Sequence, residues 1–262
     1  MSDTGTLPES VAELVADAEL VPITSGRSRA VSAWVRRGGA DWVLKVQPVD
    51  EWETSLVAEA DRMRWLLPHL PIPEVVAAGS DGHYEWLITT ALVGSDAARP
   101  EHQMDPERLI RTLGEGLRTF HDGAPVTDCP FDASTAADLD RARTRVEAER
   151  VDESDFGPLY LGMTAREVYE MVLASVPEGD ADLVVLHGDY CVPNVILSEG
   201  SISGYVDLGR AGVGDRHRDL GIAARSIAHN FGGHAVGPFV DAYGIEPDLA
   251  RLDFFVMLDE LF

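Results

Sequence analysis

Within LVVLHGDYCVPNVIL, residues 183–197, two apolar runs frame a short polar loop. The loop carries an acid, Asp189, then four residues, then an amide, Asn194. A carboxylate held in such a place can accept a hydroxyl proton and fix the direction of the oxygen. An amide oxygen a few residues on is a hard ligand suited to Mg2+. A second acid, Asp207, follows in SGYVDLGRAGVGD at the end of another short apolar run. Mg2+ takes one or two protein oxygens and fills its remaining positions with phosphate oxygens and water. An acid that aims a hydroxyl, beside two oxygen ligands for Mg2+, is the equipment of phosphoryl transfer to an alcohol.

The front half supplies a cation. In DWVLKV, residues 41–46, a single lysine, Lys45, lies inside an apolar run. Leu44 and Val46 share one face of a strand, so Lys45 faces the other way. Glu59, in VAEADRMRWL, lies on the next helical stretch, where it can pair with that lysine. A strand lysine paired with a helix glutamate is the device that aims a cation at the α- and β-phosphates in protein kinases. HGDYCVPN has the D-x-x-x-x-N spacing of their catalytic loop, and Asp207-Leu208-Gly209 stands where they carry Asp-Phe-Gly. The loop TSGRSRA, residues 24–30, is not G-x-G-x-x-G, and G-x-x-x-x-G-K-[ST] occurs nowhere, which argues against a P-loop kinase. Ser25, Gly26 and Ser28 can still offer N–H and hydroxyl groups to phosphate.

These residues need a frame. Residues 7–19 have Leu7, Val11, Leu14, Val15 and Ala18 at helical spacing. Strands are expected at 21–24, 29–36 and 41–47, with hairpin turns at Ser25-Gly26 and Gly38-Gly39. A helix is expected over 51–67, with Leu56, Ala60, Met63 and Leu67 on one face, stopped by Pro71 and Pro73. Strands follow at 74–79 and 83–90 around the turn Ser80-Asp81-Gly82. Beyond about 104 the pattern is helical, at 105–121, 133–149, 164–175, 216–230, 236–243 and 247–259, interrupted by strand and loop at 183–207. The expected architecture is α+β and bilobal, as in protein kinases. A small antiparallel sheet with one inserted helix, residues 1–92, precedes a mainly helical lobe, residues 93–262. Val93-Gly94-Ser95 is the expected hinge.

The chain has 262 residues, 45% of them hydrophobic, enough for two lobes around a cleft. Lys plus Arg number 21 against 45 Asp plus Glu, a net charge of −24. That charge sets nucleic acid and anionic lipid aside as partners and favours a polycationic small molecule. Two cysteines in unrelated contexts, Cys129 and Cys191, fit free thiols in a reducing compartment. The first twenty residues lack a basic start and an apolar run, and no stretch approaches a membrane span, so a cytoplasmic protein is expected.

Taken together, Lys45, Glu59 in EADRMRWL, CPFD at 129–132, HGDYCVPN at 187–194, VDLGRAGVGDRHRDLGIAAR at 206–225, YGI at 243–245 and the terminal LDELF resemble the aminoglycoside 3′-phosphotransferases over nearly the whole chain. The resemblance implies ATP, with GTP left open, and Mg2+. It implies adenine contacts at Thr90 and Leu92, Ser28 and Lys45 on phosphate, and Glu59 orienting the lysine. Asp189 becomes the catalytic base or hydroxyl-positioning residue, and Asn194 and Asp207 the metal ligands. Arg210, Arg225, Asp155, Glu260 and the terminal Phe262 fall on the side of a cationic aminoglycoside. A monomer or weak dimer is implied. Related enzymes carry acids just after the Arg225 position, where this chain has Ser226, His229 and Asn230; Asp152, Glu153 and Asp155 could compensate. Val43 stands where an aromatic often stacks on adenine. A kinase of the same fold with another acceptor, such as a peptide or macrolide antibiotic or choline, stays open.

Overall fold

The computed structural model describes residues 7–23, 30–179 and 182–262, apart from the side chain of Ser10. A short helix, α1 (Glu9–Leu14), precedes a five-stranded antiparallel sheet. Its strands are β1 (Glu19–Ile23), β2 (Val31–Arg37), β3 (Ala40–Pro48), β4 (Val75–Ser80) and β5 (Tyr84–Thr90), in the order β1-β2-β3-β5-β4. Helix α2 (Leu56–Leu66) is inserted between β3 and β4. Gly38 and Gly39, both at positive φ, make the β2–β3 hairpin turn as expected. The Ser25-Gly26 turn and Ser28 lie outside the described residues.

Alternation along β3 sets the position of the lysine. Leu44 and Val46 are buried with Val11, Val15, Val35, Trp86 and Ile88 beneath α1. Burial of each such side chain contributes roughly 1.5–3 kcal/mol. Lys45, between them, faces α2.

Two helices are shorter than their apolar spacing implies. The helix expected over 7–19 stops at Leu14, Asp17 turns the chain at φ 62°, and residues from Glu19 pair with β2. The ladder hydrogen bonds take those residues, while Leu7 and Ala18 still pack on the same core. The helix expected over 51–67 begins only at Leu56. The Ser55 hydroxyl donates to Glu85 at 2.8 Å and accepts the Ala58 N–H at 3.2 Å, and Glu85 also accepts the Leu56 N–H at 2.8 Å. The helix ends two residues before Pro68, ahead of the expected stops at Pro71 and Pro73.

The second half opens with β6 (Ser95–Asp96) and continues through α3 (Pro106–Gly123), α4 (Thr135–Glu147), α5 (Ala165–Ala174), β7 (Leu183–Leu186), β8 (Val195–Ser198), β9 (Ser201–Tyr205), β10 (Gly212–Asp215), α6 (His217–Phe231), α7 (Val236–Tyr243) and α8 (Leu249–Asp259). Strands order as β6-β8-β9 and β10-β7. The six expected helices are present. Neither β6 nor β10 is foreseen by alternation. In β10, a Cβ on Gly214 would fall 2.3 Å from the Ala133 carbonyl, so close packing rather than a side-chain pattern makes that strand. Gly94, at φ 116°, runs against the Leu197 carbonyl, where a Cβ would lie 2.0 Å away. The expected hinge is thus tightly packed on β8.

One core spans both halves. Leu56, Ala60, Met63 and Leu66 of α2 pack with Leu109, Leu113, Leu117 and Phe120 of α3 and with Tyr190 and Tyr205. A second core joins α4, α5 and α8 through Val146, Val168, Phe254, Phe255 and Leu261, so the apolar C-terminal helix docks as its composition implies. Among the described residues no helix is long and apolar enough to cross a membrane.

Candidate active site

The loop between β7 and β8 is held from beneath by α6. Asp219, fully buried, accepts the His187 N–H at 2.7 Å and the Gly188 N–H at 2.9 Å, and pairs with His121 Nε2 at 3.0 Å. Burial would raise the Asp219 carboxyl, but His121, His187 and Arg218 hold it below its ordinary value. His187 packs against Phe120 at 5.3 Å and Tyr190 at 5.6 Å, and its Nδ1 accepts the Asp189 N–H at 3.3 Å. Burial pushes its imidazole down, which keeps it neutral as a pillar for the loop. Gly188, at φ 86°, lies where a Cβ would meet the Arg210 carbonyl at 2.2 Å, so only glycine fits.

On this base stand the two polar side chains the sequence pairs. Asn194 Nδ2 donates to Asp189 Oδ2 at 3.1 Å and to the Asp189 carbonyl at 3.0 Å. With Nδ2 so engaged, Oδ1 is the ligand atom of that amide. Burial raises the Asp189 carboxyl above its ordinary value, and Arg210 opposes the rise.

Asp207 follows β9 at φ 61°, a conformation uncommon outside glycine and frequent at functional sites. Its side chain is 44% exposed and forms an ion pair with Lys45 Nζ. Lys45 also donates to Glu59 Oε1 at 2.9 Å, and the Glu59 side chain is only 6% exposed. Burial alone would depress the lysine, but Glu59 and Asp207 keep it above its usual range. Burial likewise works against ionised Asp207, and Lys45 wins, lowering the carboxyl. The Val206 N–H donates to the Asn194 carbonyl at 3.0 Å and Asp207 acts on Asp189, so Lys45, Glu59, Asp189, Asn194 and Asp207 form one neighbourhood spanning both halves of the chain.

No group of three or more His, Cys, Asp or Glu side chains suited to a metal occurs among the described residues. The oxygen pair of Asn194 and Asp207 nevertheless fits Mg2+, which completes its shell with phosphate and water oxygens.

A chain of charges runs from Asp189 to the C-terminus. Arg210 acts on Asp189, faces Asp259 at 3.5 Å and lies 5.0 Å over the Phe262 ring. Arg225 bonds Asp259 and Glu260, each at 3.1 Å, and Asp155 raises its pKa further. Glu260 is buried, its second oxygen accepting the Gly157 N–H at 2.7 Å. All five substrate-side candidates, Asp155, Arg210, Arg225, Glu260 and Phe262, thus lie along one network. Thr90 ends β5 and Leu92 follows two residues later, at the join between the halves. Thr90 N–H donates to the Glu74 carbonyl at 2.9 Å, and Ala91 N–H to the Asp41 carbonyl at 3.0 Å. Sequence reasoning missed Asp219, His121 and Asp259. Asp219 stands inside the quoted DLGIAAR block, but nothing in its neighbours announces a fully buried acid.

A two-lobed fold with a strand lysine, a helix glutamate and an Asp–Asn loop facing a second Asp defines a kinase-fold phosphotransferase. The chain belongs to the phosphotransferase enzyme family, whose model matches residues 19–255. It is 33% identical over 262 residues to an aminoglycoside 3′-phosphotransferase of Niallia circulans, covering 99% of this chain and 98% of that one. It is 38% identical over 218 residues to the protein of that name from Streptomyces fradiae, covering 79% and 80%. The crystal structure of a type VIII aminoglycoside-3′-phosphotransferase superposes with a TM-score of 0.83 at 30% identity, covering 94% of each chain. An aminoglycoside phosphotransferase from Streptomyces rimosus, solved with ADP and streptomycin, superposes at 0.79 with 25% identity, covering 96% and 95%.

Proposed function

We propose that this chain transfers the γ-phosphate of ATP to the 3′-hydroxyl of an aminoglycoside of the kanamycin and neomycin class, and so confers resistance to it. The observation that carries this reading is the junction of the Lys45–Asp207 ion pair with the Asp189–Asn194 hydrogen bond in one polar neighbourhood. The relatives' shared name supports the acceptor, in preference to a peptide, macrolide or choline. The lobes, residues 1–92 and 93–262, enclose the two substrates, in a cytoplasmic monomer or weak dimer.

Lys45, oriented by Glu59, binds the α- and β-phosphates. Asn194 Oδ1 and Asp207 would hold Mg2+, which would neutralise charge on the phosphates. With the Thr90 and Ala91 N–H groups already engaged, the base is read by the Thr90 carbonyl and the Leu92 N–H. Ser28 is assigned to the phosphates as well. Asp189 receives the substrate hydroxyl and aligns it with the γ-phosphate. A loose transition state needs little early proton removal, so Asp189 contributes more by direction than by basicity. Asp155, Asp259 and Glu260 attract the substrate ammonium groups, Phe262 lies on the same side, and Arg210 and Arg225 hold those acids in place.

A coupled assay of ADP release with and without kanamycin tests the reading. Kanamycin-stimulated release and a product one phosphate heavier, modified at the 3′-oxygen, are expected. Unstimulated turnover, or phosphate on another acceptor alone, contradicts it.

A further inference from the structure

Arg145 lies on α4, away from the residues assigned above. Its guanidinium donates to three main-chain carbonyls from three separate segments. Nη1 reaches Trp52 at 2.7 Å, Nε reaches Leu261 at 3.1 Å, and Nη2 reaches Arg150 at 3.2 Å. Trp52 sits in the connection between β3 and α2, in the N-terminal half. Leu261 is the penultimate residue. Arg150 leads into the acidic segment 152–155, and its own guanidinium lies 5.5 Å over the Trp52 ring. Trp52 is therefore gripped from both sides by residues of the C-terminal half.

Each end of this link leads to one side of the active site. Leu261 directly follows Asp259 and Glu260, the acids that hold Arg210 and Arg225. On the other side, Trp52 stands two residues before Thr54. The Thr54 methyl packs on Gly209, where a Cβ would come within 2.5 Å of it, beside Asp207. The Thr54 carbonyl accepts Gln47 Nε2 at 2.8 Å, tying the connection to β3 two residues from Lys45. Ser55 then caps α2, which carries Glu59. One side chain thus links the C-terminal tail to the segment that places Lys45, Glu59 and Asp207.

The side-chain type suits the task. A guanidinium presents N–H donors in a fixed planar fork, so acceptors on three sides are held in one geometry. A lysine ammonium is a point charge on a flexible stem and cannot hold all three at once in that arrangement.

We propose that Arg145 is a positioning residue that couples the two substrates, so that an aminoglycoside seated against the C-terminal tail favours the triphosphate-binding position of the β3–α2 connection. This rests on the function proposed above. Arg145 touches neither substrate, so its loss changes how each ligand affects the other rather than removing either site. Linkage requires the effect to be reciprocal.

The test is calorimetric titration of the full chain with Mg2+ and the non-hydrolysable ATP analogue AMP-PNP, with and without saturating kanamycin, and the converse titration. In the wild type each ligand tightens the other by the same factor, about fivefold or more. In Arg145→Gln and Arg145→Lys both ligands still bind singly and the factor falls towards one. A merely structural role lowers the melting temperature and weakens both ligands while leaving their ratio unchanged. Arg145→Lys keeps stem and charge and carries the test if Arg145→Gln does not fold. A wild-type factor of one, or a folded variant that keeps the wild-type factor, overturns the proposal. A wild-type chain that binds no kanamycin removes the functional reading itself, and the coupling with it.

Discussion

Asp219 accepts the Gly188 N–H at 2.9 Å, so a buried carboxylate on α6 fixes the main chain immediately before Asp189. The same carboxylate accepts the His187 N–H and pairs with His121. Asp219→Ala strands two buried N–H donors and a histidine, which costs about 3 kcal/mol or more. Urea denaturation should show that loss, together with reduced turnover. Asp219→Asn keeps one acceptor oxygen and should lose less. Equal stability of Asp219→Ala and wild type would remove the tether from the account.

Asp189→Asn should lower turnover by several orders of magnitude without loss of fold. Its effect on stability has a definite sign. The folded-state pKa of Asp189 is raised by burial, so its contribution is fully present below the unfolded value of about 3.9 and is lost as pH rises through the folded value. The asparagine variant escapes that loss. Its melting temperature should match the wild type near pH 3 to 4, and the difference should grow in its favour as pH rises through the acidic range. A constant difference across that range would contradict burial as the cause.

Lys45 and Glu59 should behave as a coupled pair. The Glu59 carboxylate is only 6% exposed, so Lys45→Met leaves it without its cation. A double-mutant cycle with Glu59→Gln should return an interaction of about 0.5–3 kcal/mol. Lys45→Met should also raise KM for ATP more than for aminoglycoside. Additive effects would place Glu59 outside the phosphate-binding apparatus.

Salt should act on one substrate more than the other. The chain carries a net charge of −24, and the proposed function assigns the acids along the C-terminal network to a cationic substrate. Raising ionic strength screens those pairs, so KM for kanamycin should rise. An aminoglycoside KM independent of salt would point to neutral contacts instead.

The polar loop His187–Asn194 was legible because its residues are consecutive and lie between two apolar runs, which fold as β7 and β8. Lys45 was legible for the same reason, since alternation puts it opposite Leu44 and Val46. Asp219 and Asp259 were not, because a buried or half-buried acid in a helix looks like an exposed one until its partners are known. The strands β6 and β10 escaped because Ser95-Asp96 and Gly212-Val213-Gly214-Asp215 are set by close backbone packing, not by side-chain period. The early end of α1 reflects ladder pairing of Glu19–Ile23, which helical spacing alone does not reveal. Arg145 was silent in the sequence because its three acceptors are main-chain carbonyls.

The central claim is that Lys45, Asp189, Asn194 and Asp207 surround one magnesium-bound triphosphate. A crystal structure of the chain with Mg2+, AMP-PNP and kanamycin tests it directly. The account predicts Asn194 Oδ1 and an Asp207 oxygen as metal ligands at about 2.1 Å. It also places the kanamycin 3′-oxygen between Asp189 and the γ-phosphate, within about 3.5 Å of a near-attack position. A metal held by other side chains, or a 3′-oxygen remote from Asp189, would contradict it.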